Sequence, residues 1–509
     1  MGKRHLVAAS MTLIVHVVSA ADPHWPSAPL PAEAAVQLMP EQFLSVDQHR
    51  DWQLDLDARG LRAAGSPAHE AYIDVLKERL AHAGVAEIRE EPVEIQQWLA
   101  ERWSLELLAE GRPEVLPTAG YLPYSGSTTA EGVTGSLRVI HRDEQFADGE
   151  LAGKVVLLQL KKPETTLSVF EADAWRRYDP RRTVGPDTPY VRSYFALNIL
   201  AKTLDKLDRA GASAAVVVLD EPAGNALGMY APYDAIYRKV PALYVDQATG
   251  DRLRARAADG ASVRVRLEAR AQRVLSRNLV AVIPGASDEL VVLNSHSDGP
   301  NGIEDNGPNV IVAMAQYLAR LPQAALPRSI MILMTSAHFA GAQGGQSFID
   351  DHLDDGTLAR IAAVLCLEHM GAEEWVPGPG GRWMPTGRAE PYWFFTPDIP
   401  ALIDAADAAL QRADAAPSYV RPPTRPHGKG LFHDHVWPGE GQVFWGRARI
   451  PTANYIAGPN YLFNAGISTA DKVDYQRLHR ETIAFTEMTL RLARTPMPDL
   501  RTHDNQDAP

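Results

Sequence analysis

The sequence predicts a mixed α/β protein, in which a mostly parallel sheet flanked by helices carries an inserted β-rich domain. Three observations lead to this fold class. From residue 278 onwards, short apolar runs alternate with helical stretches, which is typical of a parallel sheet with helices on both faces. Between residues 109 and 270, strand-like runs predominate instead. The length of 509 residues exceeds that of one simple core and predicts two or three domains.

The composition and charge of the chain bear on which kinds of molecule it could bind. Hydrophobic residues make up 45% of the chain and charged residues 22%, as in ordinary globular proteins. The formal net charge is -13 and the pI is about 5.7. Nucleic acid and anionic membranes would require a basic surface, so neither is expected as a partner. The sequence leaves the oligomeric state open.

Residues 1–20 have the pattern of a signal peptide. Lys3 and Arg4 give a positive start, residues 6–18 are mostly apolar, and Val18-Ser19-Ala20 suits a signal peptidase. The apolar run is shorter than the roughly 20 residues of a membrane-spanning helix. We therefore expect cleavage after Ala20 and an exported protein, periplasmic or secreted, whose mature chain has no membrane association.

The first part of the main domain is expected over residues 21–108. It contains a helix that begins near Ser66 and ends at Gly84, with Leu76 and Leu80 on its apolar face, and then a strand over residues 86–93. The β-rich insert follows over residues 109–270 and shows no ionisable cluster with the spacing of metal ligands.

The rest of the main domain is expected over residues 271–495, before a polar tail at 496–509. Its predicted strands cover residues 278–283, 289–293, 329–334 and 361–367, and its first helix covers 309–321. Cys366, the only cysteine of the chain, falls in the last of these strands and is expected to be buried. In such a sheet, functional residues lie beyond the carboxyl ends of the strands.

Three successive strand ends each supply a histidine or a carboxylate. Following the strands in order, these residues are His296 and Asp298 with Glu304-Asp305-Asn306, then His338, then Glu368-His369. Neutral imidazoles and carboxylates are the ligands that suit zinc and similar ions. Asp298, two residues from His296, is placed to orient that ring. The strand ends therefore predict a metal site.

A second conspicuous cluster is Phe432-His433-Asp434-His435-Val436-Trp437. The glycines around it are typical of an exposed loop. It can also be read as a loop lining the substrate site, with Asp434 and His435 reaching the metal or its water. Both interpretations stay open.

The ordered set of motifs resembles the M28 family of co-catalytic zinc aminopeptidases. The resemblance is carried by Leu61-Arg62-Ala63-Ala64-Gly65-Ser66-Pro67, His296-x-Asp298 with Asp305-Asn306, His338 to Phe348 with its glycines, Leu367-Glu368-His369-Met370-Gly371, Asp434-His435 and Ile450-Pro451. The β-rich insert resembles a protease-associated domain. The resemblance implies an aminopeptidase-like fold and a metallohydrolase that cleaves a peptide or small amide.

The resemblance also implies a ligand set and shows where this chain departs from it. His296, Asp305 and Glu368 stand at the first zinc position. His338 and Phe339 replace the family's paired glutamates, which supply a general base and a ligand of the second zinc, and the stretch from Asn460 to Asn464 lacks the family's last histidine ligand. One zinc is therefore expected, and two remain an alternative.

The departures leave three functional hypotheses. In a hydrolase, His338 would be the general base or a fourth ligand, since histidine titrates near neutral pH, and Asp434 or His435 would steady the substrate. The same scaffold could instead perform another amide chemistry, such as the cyclisation of the one-zinc glutaminyl cyclases. The third hypothesis is an inactive protein that binds peptides or a partner protein.

Overall fold

The structure, a computed structural model, describes residues 25–108, 113–142, 144–192, 194–379, 381–423 and 437–501. The predicted signal peptide, the Asp434-His435 motif and most of the polar tail lie outside the described residues. Across the described ranges, no helix has both the length and the apolar character needed to cross a membrane.

The strands of the described residues are distributed over one large sheet and one hairpin. They are β1 (Glu87–Leu108), β2 (Glu114–Leu116), β3 (Gly120–Tyr121), β4 (Val133–Ile140), β5 (Lys154–Leu160), β6 (Arg176–Tyr178), β7 (Ala214–Leu219), β8 (Ala242–Val245), β9 (Ser262–Ile283), β10 (Leu290–His296), β11 (Ser329–Thr335), β12 (Ile361–Leu367), β13 (Glu373–Pro377), β14 (Trp383–Ala389), β15 (Tyr392–Phe395), β16 (Ser418–Arg421) and β17 (Thr452–Ala457).

Helices connect most of these strands. They are α1 (Val46–Ala58), α2 (Pro67–His82), α3 (Ser168–Glu171), α4 (Tyr194–Ala210), α5 (Ala223–Ala226), α6 (Gln247–Ala258), α7 (Gly307–Leu318), α8 (Gln343–Asp351), α9 (Thr357–Arg360), α10 (Pro400–Ala413), α11 (Gln442–Ala448), α12 (Tyr475–Arg494) and α13 (Met497–Leu500). Short 3-10 turns occur at Ala32–Ala35, Pro40–Gln42, Gln323–Ala325, His338–Ala340 and Ala470–Lys472.

The main domain is built on a mixed sheet with a parallel centre. Strands β11, β10, β12 and β17 are adjacent and parallel, and β9 and β15 flank them in the antiparallel direction. Successive residues of β10 face opposite sides: Val291 packs in the core that includes α7 and α12, and Val292 packs in the core that includes α8 and α11. The predicted fold class, a mostly parallel sheet with helices on both faces, is confirmed.

Two long strands join the part of the chain predicted as the main domain to the part predicted as the insert. β1 and β9 have 22 residues each and pair antiparallel along their length, with one irregularity between Ala100 and Arg102. The last five residues of β9 pair with β11, and its first four residues pair with β4. The sequence predicted separate short strands here, because the middle of the ribbon is partly exposed on both faces and lacks an apolar pattern.

The insert forms one end of the large sheet and also sends a segment to the opposite end. β4, β5, β7 and β8 are parallel neighbours. β6, by contrast, pairs with β16 at the other end of the sheet. Shortly after it, Arg192 forms buried ion pairs with Glu390 at 2.8 Å and Glu374 at 3.3 Å. The insert thus contacts the main domain well away from the β1–β9 ribbon.

Helix α2 begins where the sequence predicts and places His69 next to Ser297, the residue that follows β10. Ser66 caps the helix by accepting from the His69 backbone N–H, and Pro67 occupies its first position. The Gly65 backbone N–H donates to Nδ1 of His69 at 3.0 Å, and Nε2 lies 2.9 Å from the Ser297 hydroxyl. Because Nδ1 accepts, the ring is the neutral Nε2–H tautomer.

We expect His69 to make the protein sensitive to acid. Burial, and then the charge of Arg62, lower the pKa of His69 to about 3. Its pKa in the unfolded chain is near 6.5, so the stability that the neutral ring contributes is present above pH 6.5 and is lost as the pH falls towards 3. At pH 5 the loss is about 2 kcal/mol.

The measurement is the urea-unfolding midpoint at pH 7 and at pH 5. His69→Gln should make the difference between the two midpoints smaller, because the titrating group is gone. His141 is exposed, and His141→Gln serves as the control that keeps the wild-type difference. An unchanged pH dependence in His69→Gln would contradict the assignment.

Candidate metal centre

Three parallel strand ends bring two imidazoles and a carboxylate together. β10 ends at His296, opposite Thr335 of β11, and β12 is followed directly by Glu368. After β11 the left-handed residue Ala337, with φ 62°, turns the chain so that His338 faces the same place. One ligand atom from each of His296, His338 and Glu368 lies within 4.8 Å of the others.

His296 presents an unpaired nitrogen to Glu368. Its Nδ1 donates to the backbone carbonyl of Asp298 at 2.8 Å, so Nε2 carries the lone pair in the neutral ring. Nε2 lies 3.6 Å from Oε2 of Glu368. Both atoms are buried, and neither has a hydrogen-bond partner. Two such atoms facing each other require a proton or a cation between them.

One carboxylate oxygen of Glu368 accepts hydrogen bonds, and the other has no hydrogen-bond partner. Oε1 accepts from the Glu440 backbone N–H at 3.0 Å and from the Asn454 amide at 2.8 Å. Burial alone would raise the pKa of Glu368, but the adjacent imidazole of His296 lowers it overall. The same contact raises the pKa of His296 against the effect of burial. Each side chain therefore favours the charged form of the other.

His338 is oriented by a carboxylate that the sequence did not reveal as a site residue. Its Nδ1 lies 2.6 Å from Oε2 of Glu440, which leaves Nε2 as the nitrogen with a free lone pair. The ring stacks on that of His296, with 4.3 Å between centroids and 18° between planes. Two neutral imidazoles and one carboxylate, with buried unpartnered atoms among them, fit a zinc ion.

Asp305 differs from its predicted role as a metal ligand. Both of its carboxylate oxygens accept from the guanidinium of Arg62, from Nε at 2.6 Å and from Nη2 at 2.5 Å. It is not part of the His296–His338–Glu368 group. Arg62 is held beside it because its backbone pairs with Gly299, at the start of the same loop. A bidentate ion pair leaves the carboxylate little capacity for a metal.

Glu304, one residue earlier, is the carboxylate of this loop that faces the centre. Its Oε2 has no hydrogen-bond partner and lies 3.0 Å from Nε2 of His369. Nδ1 of His369 donates to the Ala457 carbonyl. The charge of Glu304 acts on His296, as that of Glu368 does. The centre thus contains a second imidazole–carboxylate pair beside the first.

Asp298 holds both His296 and His338 in position, through hydrogen bonds that the sequence did not predict. Its backbone carbonyl holds the His296 ring, whereas its carboxylate is 4.0 Å from that nitrogen. The carboxylate accepts instead from the backbone N–H groups of His338 at 2.9 Å and Phe339 at 2.8 Å. It therefore fixes the turn after β11. Asp434 and His435, the other predicted catalytic residues, lie outside the described residues.

Aromatic side chains border the group on the side of Phe339. The Phe339 ring is buried, and its centroid lies 4.6 Å from that of Tyr233 and 6.0 Å from that of Phe463. Tyr233 belongs to the insert, and its ring is 5.7 Å from that of His338. The sequence showed no chemistry in the insert. A single tyrosine carries no recognisable spacing, so its place at the centre could not be read from the sequence.

The glycines around Glu440 were the one available sequence signal for that residue. Gly439 has φ 111°, and a Cβ atom there would lie 2.5 Å from Oε1 of Glu368. A Cβ atom at Gly345 would lie 2.9 Å from Oε1 of Glu440. These positions accept only glycine because the loop approaches the strand ends so closely.

Comparison with known proteins agrees with this architecture. The sequence model of peptidase family M28 matches residues 278–377. The search of curated proteins finds no match. The Peptidase M28 precursor from Shewanella amazonensis SB2B has a similar structure, with a TM-score of 0.63 at 16% identity over 91% of this chain and 97% of that chain.

Two aminopeptidase structures show the same likeness. The zinc aminopeptidase BSAP from Bacillus subtilis gives a TM-score of 0.58 at 15% identity, covering 87% of this chain and 94% of its own. The aminopeptidase from Aneurinibacillus sp. strain AM-1 gives 0.55 at 15% identity, covering 88% and 93%. At such identity the likeness shows the fold. Together with the sequence match, it confirms the resemblance: residues 278–377 match the model of peptidase family M28, and the fold is similar to that of zinc aminopeptidases.

Proposed function

We propose that the protein is a metal-dependent hydrolase that cleaves a peptide or small amide bond with one zinc ion. The observation that carries the proposal is the convergence of His296, His338 and Glu368, with Nε2 of His296 and Oε2 of Glu368 buried and unpartnered. Three protein ligands and an open position are the arrangement of catalytic zinc sites. His338 is then a ligand rather than the general base.

The neighbours of this group support one ion rather than two. Phe339 occupies one of the two positions where the resemblance expects a glutamate, and its ring has no atom that binds a metal. The carboxylate of Asp305 is taken by Arg62. The stretch from Asn460 to Asn464 supplies no histidine. Of the donors that the family pattern gives the second ion, one is therefore replaced by Phe339 and one histidine is missing, while Asp305 of the first position is occupied.

The residues around the group divide the remaining tasks. A bound zinc ion would act as a Lewis acid that polarises the substrate carbonyl and makes a water molecule more acidic. Glu304 has a carboxylate oxygen without a hydrogen-bond partner, which could accept a proton. His369 beside it could then stabilise the protonated carboxyl group. Tyr233, partly buried beside Phe339, offers an aromatic surface to the substrate.

Two further parts of the proposal concern the rest of the chain. We propose that the protein is exported, on the pattern of residues 1–20, to the periplasm or to the medium. We also propose that the insert at 109–270 is a protease-associated domain that borders the substrate site. The contact of Tyr233 with Phe339 and the hydrogen bond from the Gly341 backbone N–H to the Tyr233 carbonyl, at 2.8 Å, support that role.

The test combines metal content with turnover. Mass spectrometry of the purified mature protein should find about one zinc per chain, as expected for a three-ligand catalytic site. Hydrolysis of a panel of aminoacyl amides and dipeptides should stop after chelation and return when zinc is added. Two ions per chain would contradict the single-zinc centre. No metal under loading conditions would overturn the hydrolase and leave a peptide-binding protein.

A further inference from the structure

Glu440 contacts two of the three residues of the metal-binding group at once. Its Oε2 lies 2.6 Å from Nδ1 of His338, and its backbone N–H donates to Oε1 of Glu368 at 3.0 Å. Its second oxygen, Oε1, accepts from the Thr335 hydroxyl at 2.6 Å. Glu440 is fully buried, so water does not compete for these bonds.

The contact to His338 determines which ring nitrogen is free. A carboxylate accepts hydrogen bonds, so the nitrogen facing Glu440 keeps its hydrogen and Nε2 keeps its lone pair. The contact to Glu368 has a parallel effect. It engages Oε1 and leaves Oε2 towards His296, from which it is 3.6 Å distant. The Glu440 side chain therefore sets the donor atom of His338, and its backbone N–H, together with the Asn454 amide, helps to set that of Glu368.

We propose that Glu440 is a positioning residue of the metal centre, whose carboxylate selects Nε2 of His338 as the ligand atom. It lies outside the segment that matches the family, 278–377, and reaches the centre from the loop before α11. The proposal rests on the metal-binding function proposed above. Such carboxylate partners of ligating histidines typically change metal affinity 10- to 100-fold when they are removed.

The first measurement uses cobalt(II) in place of zinc, because its visible spectrum reports the ligands. Glu440→Ala should weaken cobalt binding about 10- to 100-fold and change the spectrum. Glu440→Gln keeps an oxygen that can accept from His338, and it should weaken binding less. Thr335→Val is the matched control: it removes a hydrogen bond of Glu440 but not the contact to His338, so its affinity should stay close to that of the wild type.

The second measurement needs no metal and separates this proposal from the function on which it rests. Nitrogen NMR of the histidine-labelled metal-free protein, with His338 assigned by its loss in His338→Gln, should show hydrogen on Nδ1 and none on Nε2. In Glu440→Ala this preference should be lost. Wild-type cobalt affinity and spectrum in Glu440→Ala, or an Nε2–H tautomer in the wild-type protein, would overturn the proposal. If the wild-type chain binds no cobalt, the proposed function fails, and the tautomer alone decides the role of Glu440.

Discussion

Replacing His296 by alanine is expected to remove the bound zinc and lower amide hydrolysis by at least about a thousand-fold. His296 supplies one of three converging ligand atoms, and its Nε2 has no other partner. Two remaining donors, His338 and Glu368, do not hold zinc in a catalytic geometry. The measurements are zinc per chain by mass spectrometry and kcat/KM on the best amide of the panel.

His352 provides a matched control for this prediction. It is also an imidazole between two carboxylates, 2.6 Å from Asp355 and 3.2 Å from Glu91, but it lies away from the His296–His338–Glu368 group. His352→Ala should keep both the zinc and the turnover. A His296→Ala protein that is folded by circular dichroism and still binds zinc would show that the ion sits elsewhere. His296→Gln repeats the test should the alanine variant fail to fold.

Replacing Arg62 by methionine is expected to lower the free energy of unfolding by about 3–5 kcal/mol. Arg62 and Asp305 are both fully buried and joined by two hydrogen bonds. The guanidinium also donates to the backbone carbonyls of Leu56 at 3.2 Å and Asn301 at 2.8 Å. The variant would leave a carboxylate in the interior without a counter-charge. Urea unfolding at pH 7 measures the loss.

A double-mutant cycle separates the lost ion pair from lost packing. Arg62→Met with Asp305→Asn removes both charges, so the double variant should lose less than the sum of the two single variants. Additive losses would show that the two side chains do not depend on each other. A loss below about 1 kcal/mol in Arg62→Met alone, as for exposed ion pairs, would contradict the structural interpretation.

The sequence predicted the buried strands well and the long ribbon poorly. β12 was predicted with the bounds that it has, Ile361–Leu367, because a strand buried on both faces reads as one continuous apolar run. Cys366 is buried in it, as expected. In the middle of β9, residues such as Gln272 are held by pairing with β1 rather than by an apolar core. Pairing between distant strands leaves no local pattern to read.

At the metal centre, the sequence located the strand ends but not the direction of every side chain. His296, His338 and Glu368 follow buried strands, so the topology alone brings them together. Between Glu304 and Asp305 the choice depends on the path of an irregular loop and on Arg62, more than 200 residues earlier. Glu440 likewise lies on a distant loop. The side-chain directions in these two loops cannot be read from a repeating apolar pattern, because irregular loops have none.

The β1–β9 ribbon has a mechanical consequence. Two chain segments that pass between domains usually act as a hinge, but here they are hydrogen-bonded to each other over 22 residues and form a stiff strut. The register irregularity between Ala100 and Arg102 is the one break in that pairing, and bending would concentrate there. Because Tyr233 of the insert touches Phe339, bending of the strut would also move the aromatic side chains that border the metal centre.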